Sequence, residues 1–429
     1  MRLPLGCEKM NLGPFYKVTL ALVLAFGVGL CAPAANGQTT STAAQKHKRK
    51  KHRAAVVAAH SGVAHSTTQA GVIHTASNSS LQPVTLRRRV RHRVFFNPWT
   101  EPTFADSSVG DAVAGEDLVV RKAALGAIGP YNGTVVVADP QTGRILSIVN
   151  QKLALKGAYQ PCSTVKVVVS LASLSEGIVN PANPLHITRR FSLDMTQALA
   201  HSNNLYFAKL GQELGFERVQ KYGKLFGLGE KAGLDIPGEE PGSLASEPPE
   251  TGVGMMTSFG DGIRLTPLEL TSIVSAVANG GTIYYLQYPR TEEEAEKFVP
   301  RIKRTLDIST FVPQIMPGMM GAVEYGTARR ANFDATEPIF GKTGTCTDTV
   351  QPGVHLGWFG SFNQVGNRKL VVVVLLTGGR GVGGAMAAEI AGNVYRNLSQ
   401  DHYFAPPDQP VLPAAMISMQ SLFAAPVHN

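Results

Sequence analysis

Acidic residues are nearly missing from the first quarter of the chain: Glu8 stands alone among the first 99 positions, against 14 Lys and Arg. The formal charge of +9 over 429 residues is therefore a local property, because positions 100–429 hold 26 Lys and Arg against 30 acids. The part expected to fold is mildly acidic, and the basicity belongs to a tail. Hydrophobic periodicity is missing from Gln38 to about Pro98, a stretch rich in Ala, Ser, Thr and His. Such a segment cannot bury enough apolar surface to offset its ordering entropy, which excludes a packed domain there. Its six histidines lack paired ligand spacing, so no metal site is expected. Cysteine is scarce at four residues, two of which (Cys7 and Cys31) lie near the N-terminus. Only Cys162 and Cys346 fall where folded structure is expected. No internal repeat is visible.

What is present near the start is an export element. Arg2, Lys9 and Lys17 precede an uncharged run from Val18 to Ala35 with an apolar centre at Leu20–Leu30, then Ala32-Pro33-Ala34 offers a small-residue cleavage site. The alternative is an uncleaved membrane anchor, since the run is about long enough to span a bilayer. Leu30 before Cys31 is too bulky for a lipoprotein signal. Both readings put the chain after about residue 40 outside the cytoplasmic membrane, in the cell envelope, where Cys162 and Cys346 would meet an oxidising compartment. Residues 38–98 then read as a basic disordered tether with clusters at Lys46–Arg53 and Arg87–Arg93. Export argues against nucleic acid as its partner. Anionic lipid headgroups or acidic wall polymers fit the charge, and a solvated spacer fits the composition.

Order is expected from residue 99 to 400, followed by a tail over 401–429. Thr134–Ala138 and Arg144–Val149 are β-branched runs joined by Asp139-Pro140-Gln141-Thr142-Gly143, a hairpin signal. Helical patterns dominate from Ser163 to about Asn279, strand-like runs return at Ile339–Thr345, His355–Phe362 and Leu370–Leu376, and a helix closes the pattern over Val382–Leu398. This order predicts an α+β fold: an antiparallel five-stranded sheet flanked by helices, with an all-helical subdomain inserted between its second and third strands.

Three short motifs carry chemistry. In Pro161-Cys162-Ser163-Thr164-Val165-Lys166, which opens an apolar helix, a spacing of three stacks Lys166 one turn from Ser163. An alkyl hydroxyl needs a base to become a nucleophile, and a partly desolvated lysine can lose its proton near neutrality. Free backbone N–H groups at the helix start favour developing negative charge beside Ser163. Ser202-Asn203-Asn204 follows at a helix break, where a helix N-cap is the plain reading. There Ser202 could relay a proton and Asn204 could hold a substrate carbonyl. Lys342-Thr343-Gly344-Thr345 lies on the strand beginning at Ile339. A cation and hydroxyls on a strand suit a substrate carboxylate, Gly344 allows close backbone approach, and the plain reading is a charged sheet edge.

In this order the three motifs resemble the S-x-x-K, S-x-N and K-T-G set of penicillin-binding proteins and class A β-lactamases. Asp235–Glu239, Ser258–Gly262, Leu265–Leu270, Asn279–Gly281, Tyr325–Ala328 and Gly357–Phe359 also resemble stretches of penicillin-binding transpeptidase domains, so the likeness spans about 130–398. The resemblance implies a peptidoglycan D,D-transpeptidase. Ser163 would form an acyl-enzyme with a D-Ala-D-Ala stem peptide or a β-lactam, with Lys166 as base, Ser202 as relay and Asn204 on the substrate amide. Lys342, Thr343, Gly344 and Thr345 would line the carboxylate and oxyanion side, and no metal or organic cofactor is implied. Attack by water in place of an amine would make a D,D-carboxypeptidase or a β-lactamase, and absence of turnover would make a β-lactam sensor. No Glu-x-x-Leu-Asn stretch resembles the class A deacylation loop. The polar segment before residue 99 resembles neither a glycosyltransferase domain nor a non-catalytic pedestal.

Cys162 stands where many members of that family have Gly, and Cys346 follows the K-T-G-T motif directly. Class A serine carbapenemases look similar here, with a bridged cysteine before the serine and another just after K-T-G-T. If Ser163 and Thr345 supply two N–H groups to one oxygen, the cysteines fall near bridging range. A Cys162–Cys346 disulfide is the expectation, with two separate buried thiols as the alternative.

Overall fold

The computed structural model describes residues 102–405, except 182, 333 and 367. The export element, the whole basic tether with both of its basic clusters, and the C-terminal tail beyond residue 405 lie outside the described residues.

The chain runs α1 (Leu118–Ile128), β1 (Gly133–Ala138), β2 (Ile145–Val149), α2 (Gln151–Lys156), a 3-10 turn (Cys162–Val165) and α3 (Lys166–Ser175). Next come β3 (Leu185–Thr188), β4 (Phe191–Leu193), α4 (Met195–Ala200), α5 (Asn204–Leu225), β5 (Ser243–Leu244), α6 (Val253–Phe259) and β6 (Ile263–Arg264). Then follow α7 (Pro267–Asn279), β7 (Thr282–Tyr284), α8 (Glu292–Glu296), β8 (Ile302–Thr305) and α9 (Val312–Glu324). The chain closes with β9 (Ile339–Thr347), β10 (His355–Asn363), β11 (Val371–Gly378) and α10 (Gly384–Gln400).

Five strands form one antiparallel sheet in the order β2-β1-β11-β10-β9. The composition of β11 shows why this sheet is central. All eight residues of Val371–Gly378 are buried. Val371, Val373 and Leu375 pack with helices of the insertion, while Val372, Val374 and Leu376 pack with α1 and α10. A strand covered on both faces has no reason to alternate polar and apolar residues, and β-branched side chains fit such a pleated surface. The β1–β2 hairpin is set by Asp139, whose carboxylate accepts from the Gln141 N–H at 2.8 Å and the Thr142 hydroxyl at 2.8 Å. Such an Asx turn offers the backbone a ready partner where the ladder stops.

The insertion between β2 and β9 is helical in bulk. α7 starts with a capping box, Thr266 and Glu269 each closing on the other's backbone, with Pro267 at the first helical position. α5 is two helices joined across a kink at Gly215, where φ is 74°. The all-helical expectation needs one correction: the insertion also holds three two-stranded ribbons, β3–β4, β5–β6 and β7–β8. Strands of two to four residues are too short for side-chain alternation to register against the surrounding helical pattern. Among the described residues no helix is long and apolar enough to cross a membrane.

Candidate active site

The site is assembled where the insertion meets the free edge of the sheet at β9. Ser163 sits in the 3-10 turn that leads into α3. In that tighter helix residues three apart eclipse each other, so the turn aligns Ser163 and Lys166 better than an α-helix would. Lys166 Nζ stands 3.0 Å from Ser163 Oγ. The same nitrogen lies 3.0 Å from Ser202 Oγ, and donates to Ser202 O at 2.9 Å and Asn204 Oδ1 at 2.5 Å. Ser202 reaches it twice because its backbone is left-handed, with φ at 55°. Such a conformation in a non-glycine residue costs on the order of 1–3 kcal/mol and clusters at functional sites.

The four contacts suit a neutral amine, the form that burial favours, whereas an ammonium would spend its third hydrogen on one of the two hydroxyls. A neutral amine has two N–H bonds and one lone pair. The Ser202 carbonyl and the Asn204 amide oxygen can only accept, so they take both hydrogens. The lone pair is left facing two hydroxyls, those of Ser163 and Ser202. Lys166 is fully buried, and burial, followed by the charge of Lys342, pushes its pKa down to about 6. The Phe207 ring lies 5.4 Å from Lys166 Nζ and makes part of the apolar surround.

The other wall is β9. Lys342 is 1% exposed, and burial pushes its pKa down to about 7. Its Nζ donates to the Thr343 carbonyl at 3.0 Å. The Thr343 hydroxyl is 2.6 Å from that of Thr327. Gly344 is required by contact: a Cβ there would stand 2.9 Å from the Pro161 carbonyl oxygen and 3.2 Å from Thr164 Cγ2. Any other residue would push the strand away from the turn that carries Ser163. Thr345 is exposed, and its hydroxyl accepts from the Gly384 N–H at 2.7 Å, which ties it to the start of α10. Cys162 and Cys346 are joined by a disulfide with Cα atoms 5.7 Å apart, linking the turn to β9. Cys162 adopts φ 52°, a region that glycine enters more easily.

Ser163, Lys166, Ser202 and Asn204 thus meet at one nitrogen, and Lys342 to Thr345 line the facing strand. Sequence reasoning gave no role to several residues that frame them. The Ser258 carbonyl, at the end of α6, stands 3.4 Å from Ser163 Oγ, a longer second acceptor for its one hydroxyl hydrogen. Trp358 Nε1 donates to Gln160 O at 2.9 Å and anchors the loop before Ser163. Thr327, Ser258 and Trp358 all lie in stretches whose likeness was visible, but partners so distant in sequence leave no local pattern.

Residues 133–396 match the family described as the penicillin binding protein transpeptidase domain. Among curated proteins, Stage V sporulation protein D of Bacillus subtilis (strain 168) is 31% identical over 286 residues, covering 58% of this chain and 44% of that protein. The peptidoglycan D,D-transpeptidase MrdA of Haemophilus influenzae is 24% identical over 369 residues, covering 66% of this chain and 56% of that protein. The chain therefore spans about half the length of these relatives. Among solved structures, Pseudomonas aeruginosa PBP2 in complex with WCK 5153 superposes with a TM-score of 0.58 at 21% identity, covering 70% of this chain and 80% of that one. At that identity the likeness speaks to the fold.

Proposed function

We propose a reaction from one premise: this chain belongs to the penicillin-binding protein transpeptidase family. The reaction is D,D-transpeptidation of peptidoglycan stem peptides ending in D-Ala-D-Ala, through an ester on Ser163. One observation carries the reading. The buried Lys166 nitrogen stands 3.0 Å from the Ser163 hydroxyl and 3.0 Å from that of Ser202, beside two groups that can only accept.

In this reaction Ser163 Oγ attacks the carbonyl of the penultimate D-Ala as its proton passes to Lys166 Nζ. The peptide C–N bond breaks, and the leaving D-Ala amine takes a proton returned through Ser202 Oγ. The acyl group then passes to an amine of a second stem peptide, which regenerates the Ser163 hydroxyl. Lys342 and Thr343 hold the donor's terminal carboxylate. Asn204 positions the substrate amide, and the backbone N–H groups of Ser163 and Thr345 receive the oxyanion. A β-lactam presents a carbonyl and a carboxylate in a similar relation and acylates the same oxygen. The test is incubation with a stem-peptide donor and a labelled D-amino acid, scoring exchange and hydrolysis separately. Exchange of label into the donor is expected. Hydrolysis alone would make the protein a carboxypeptidase, and no reaction of either kind would remove the proposal.

The same reading assigns 99–400 to catalysis outside the cytoplasmic membrane, 1–37 to export or anchoring, and 401–429 to a tail. Residues 38–98 become a tether whose eleven basic residues attract anionic membranes or wall polymers. Each would contribute about 1 kcal/mol near an anionic surface, screened as salt rises. Protein spanning 38–429 is expected to sediment with anionic vesicles at low salt. Equal sedimentation by a 99–429 fragment would reduce the tether to a spacer.

A further inference from the structure

We infer that Arg264 and Asp348 are positioning residues for Ser163, forming a second, non-covalent clamp parallel to the Cys162–Cys346 disulfide. The inference rests on the acyl-transfer reading above.

The segment that delivers the nucleophile is irregular from Gly157 to Pro161, so no helix or strand ladder fixes its distance from β9. Side chains do so instead. Arg264, at the end of the β5–β6 ribbon, donates through Nη1 to Asp348 Oδ1 at 2.8 Å and through Nη2 to the carbonyl of Ala158. Its guanidinium also lies 5.9 Å over the Tyr159 ring. Beside it, Tyr159 and Leu265 exchange both backbone hydrogen bonds, at 2.9 and 2.7 Å. Asp348 stands two residues past Cys346 and is 2% exposed. Its Oδ1 accepts from the N–H groups of Val350 and Gln351, which sets the turn where β9 ends.

One planar cation thus joins Ala158, five residues before Ser163, to Asp348, three residues after Thr345. These are the two segments that the disulfide joins closer in. A guanidinium can hold two acceptors in fixed directions, whereas an ammonium cannot span both in that geometry. The two clamps bracket the nucleophile's turn and the strand that faces it. Opening either lets Ser163 drift from the oxyanion donors, and misplacement near 1 Å costs on the order of a hundredfold in rate.

The test uses the exported protein with its tether and compares wild type, Asp348→Asn and Arg264→Lys. Rapid-mixing acylation by a chromogenic β-lactam separates the acylation rate constant from the dissociation constant of the non-covalent complex. Each variant is measured with the disulfide intact and in a Cys162→Ala/Cys346→Ala background. The expected result is a rate constant lowered about tenfold to a hundredfold with the dissociation constant held within about twofold. The loss is larger in the disulfide-free background, where the pair acts alone. An unchanged rate constant in both backgrounds overturns the inference, and so does a loss confined to the dissociation constant. Near-UV circular dichroism checks folding. If Asp348→Asn unfolds, Arg264→Lys decides. If both unfold, the pair serves folding and the inference fails. A wild-type protein that takes no acyl group would instead refute the proposed function, which keeps the two failures distinct.

Discussion

Lys166→Ala is expected to slow acylation by a β-lactam on the order of 10²–10⁴-fold while leaving the protein folded. Ser163 Oγ has one basic atom at 3.0 Å, the Lys166 nitrogen, and without it the hydroxyl would attack while still holding its proton. Base and nucleophile act as a unit, so Ser163→Ala and the double variant are expected to lose activity to similar floors. The pH profile gives the sign. Burial lowers the Lys166 pKa to about 6, so the amine is free above that pH and protonated below it. The acylation rate constant at saturating β-lactam should therefore rise with pH and then level off, and the second-order constant should rise through about 6. The second-order constant reports the free enzyme, in which Lys342 must be charged to receive a carboxylate, although burial lowers its pKa to about 7. That constant should fall again at higher pH, while a bound carboxylate keeps Lys342 protonated in the complex. A rate constant that is flat from pH 5 to 8 would remove Lys166 from the role of base.

Removal of the Cys162–Cys346 bridge is expected to have the largest effect on stability. It closes a loop with a sequence separation of 184 residues, for which the chain-entropy account gives on the order of 5 kcal/mol. That figure is an upper value, because a compact unfolded ensemble has less freedom to lose. Denaturant unfolding of Cys162→Ala/Cys346→Ala should show a midpoint shifted down by an amount equivalent to several kcal/mol with folding still cooperative. Acylation should also slow, because the bridge holds the nucleophile's turn against β9. A midpoint equal to that of the wild type would show that the bridge contributes nothing to the fold.

The legible and illegible parts of this protein divide along physical lines. The sheet could be read because β1, β9, β10 and β11 are runs of β-branched and aromatic residues bounded by turn signals, and burial on both faces makes such runs conspicuous. Ser163 and Lys166 could be read because their relation is local, three residues on one turn. Ser202 and Asn204 were legible as a motif, but their convergence on Lys166 depends on a left-handed Ser202, which sequence does not announce. The ribbon β5–β6 was missed because two-residue strands have no periodicity, yet it carries Arg264 to the site. Arg264 and Asp348 are separated by 84 residues and meet only through tertiary packing. Thr327 was similarly silent, since its hydroxyl contact with Thr343 depends on how the loop after α9 folds back onto β9.

The central claim is that Ser163 becomes acylated because Lys166 holds an unshared electron pair beside its hydroxyl. Its most direct test is mass spectrometry of the protein after incubation with a labelled penicillin at neutral pH, followed by peptide mapping. The account predicts one adduct per chain, on the peptide containing Ser163, present in wild type and absent in Ser163→Ala. An adduct on another residue, or an unmodified wild-type protein at saturating penicillin, would contradict it.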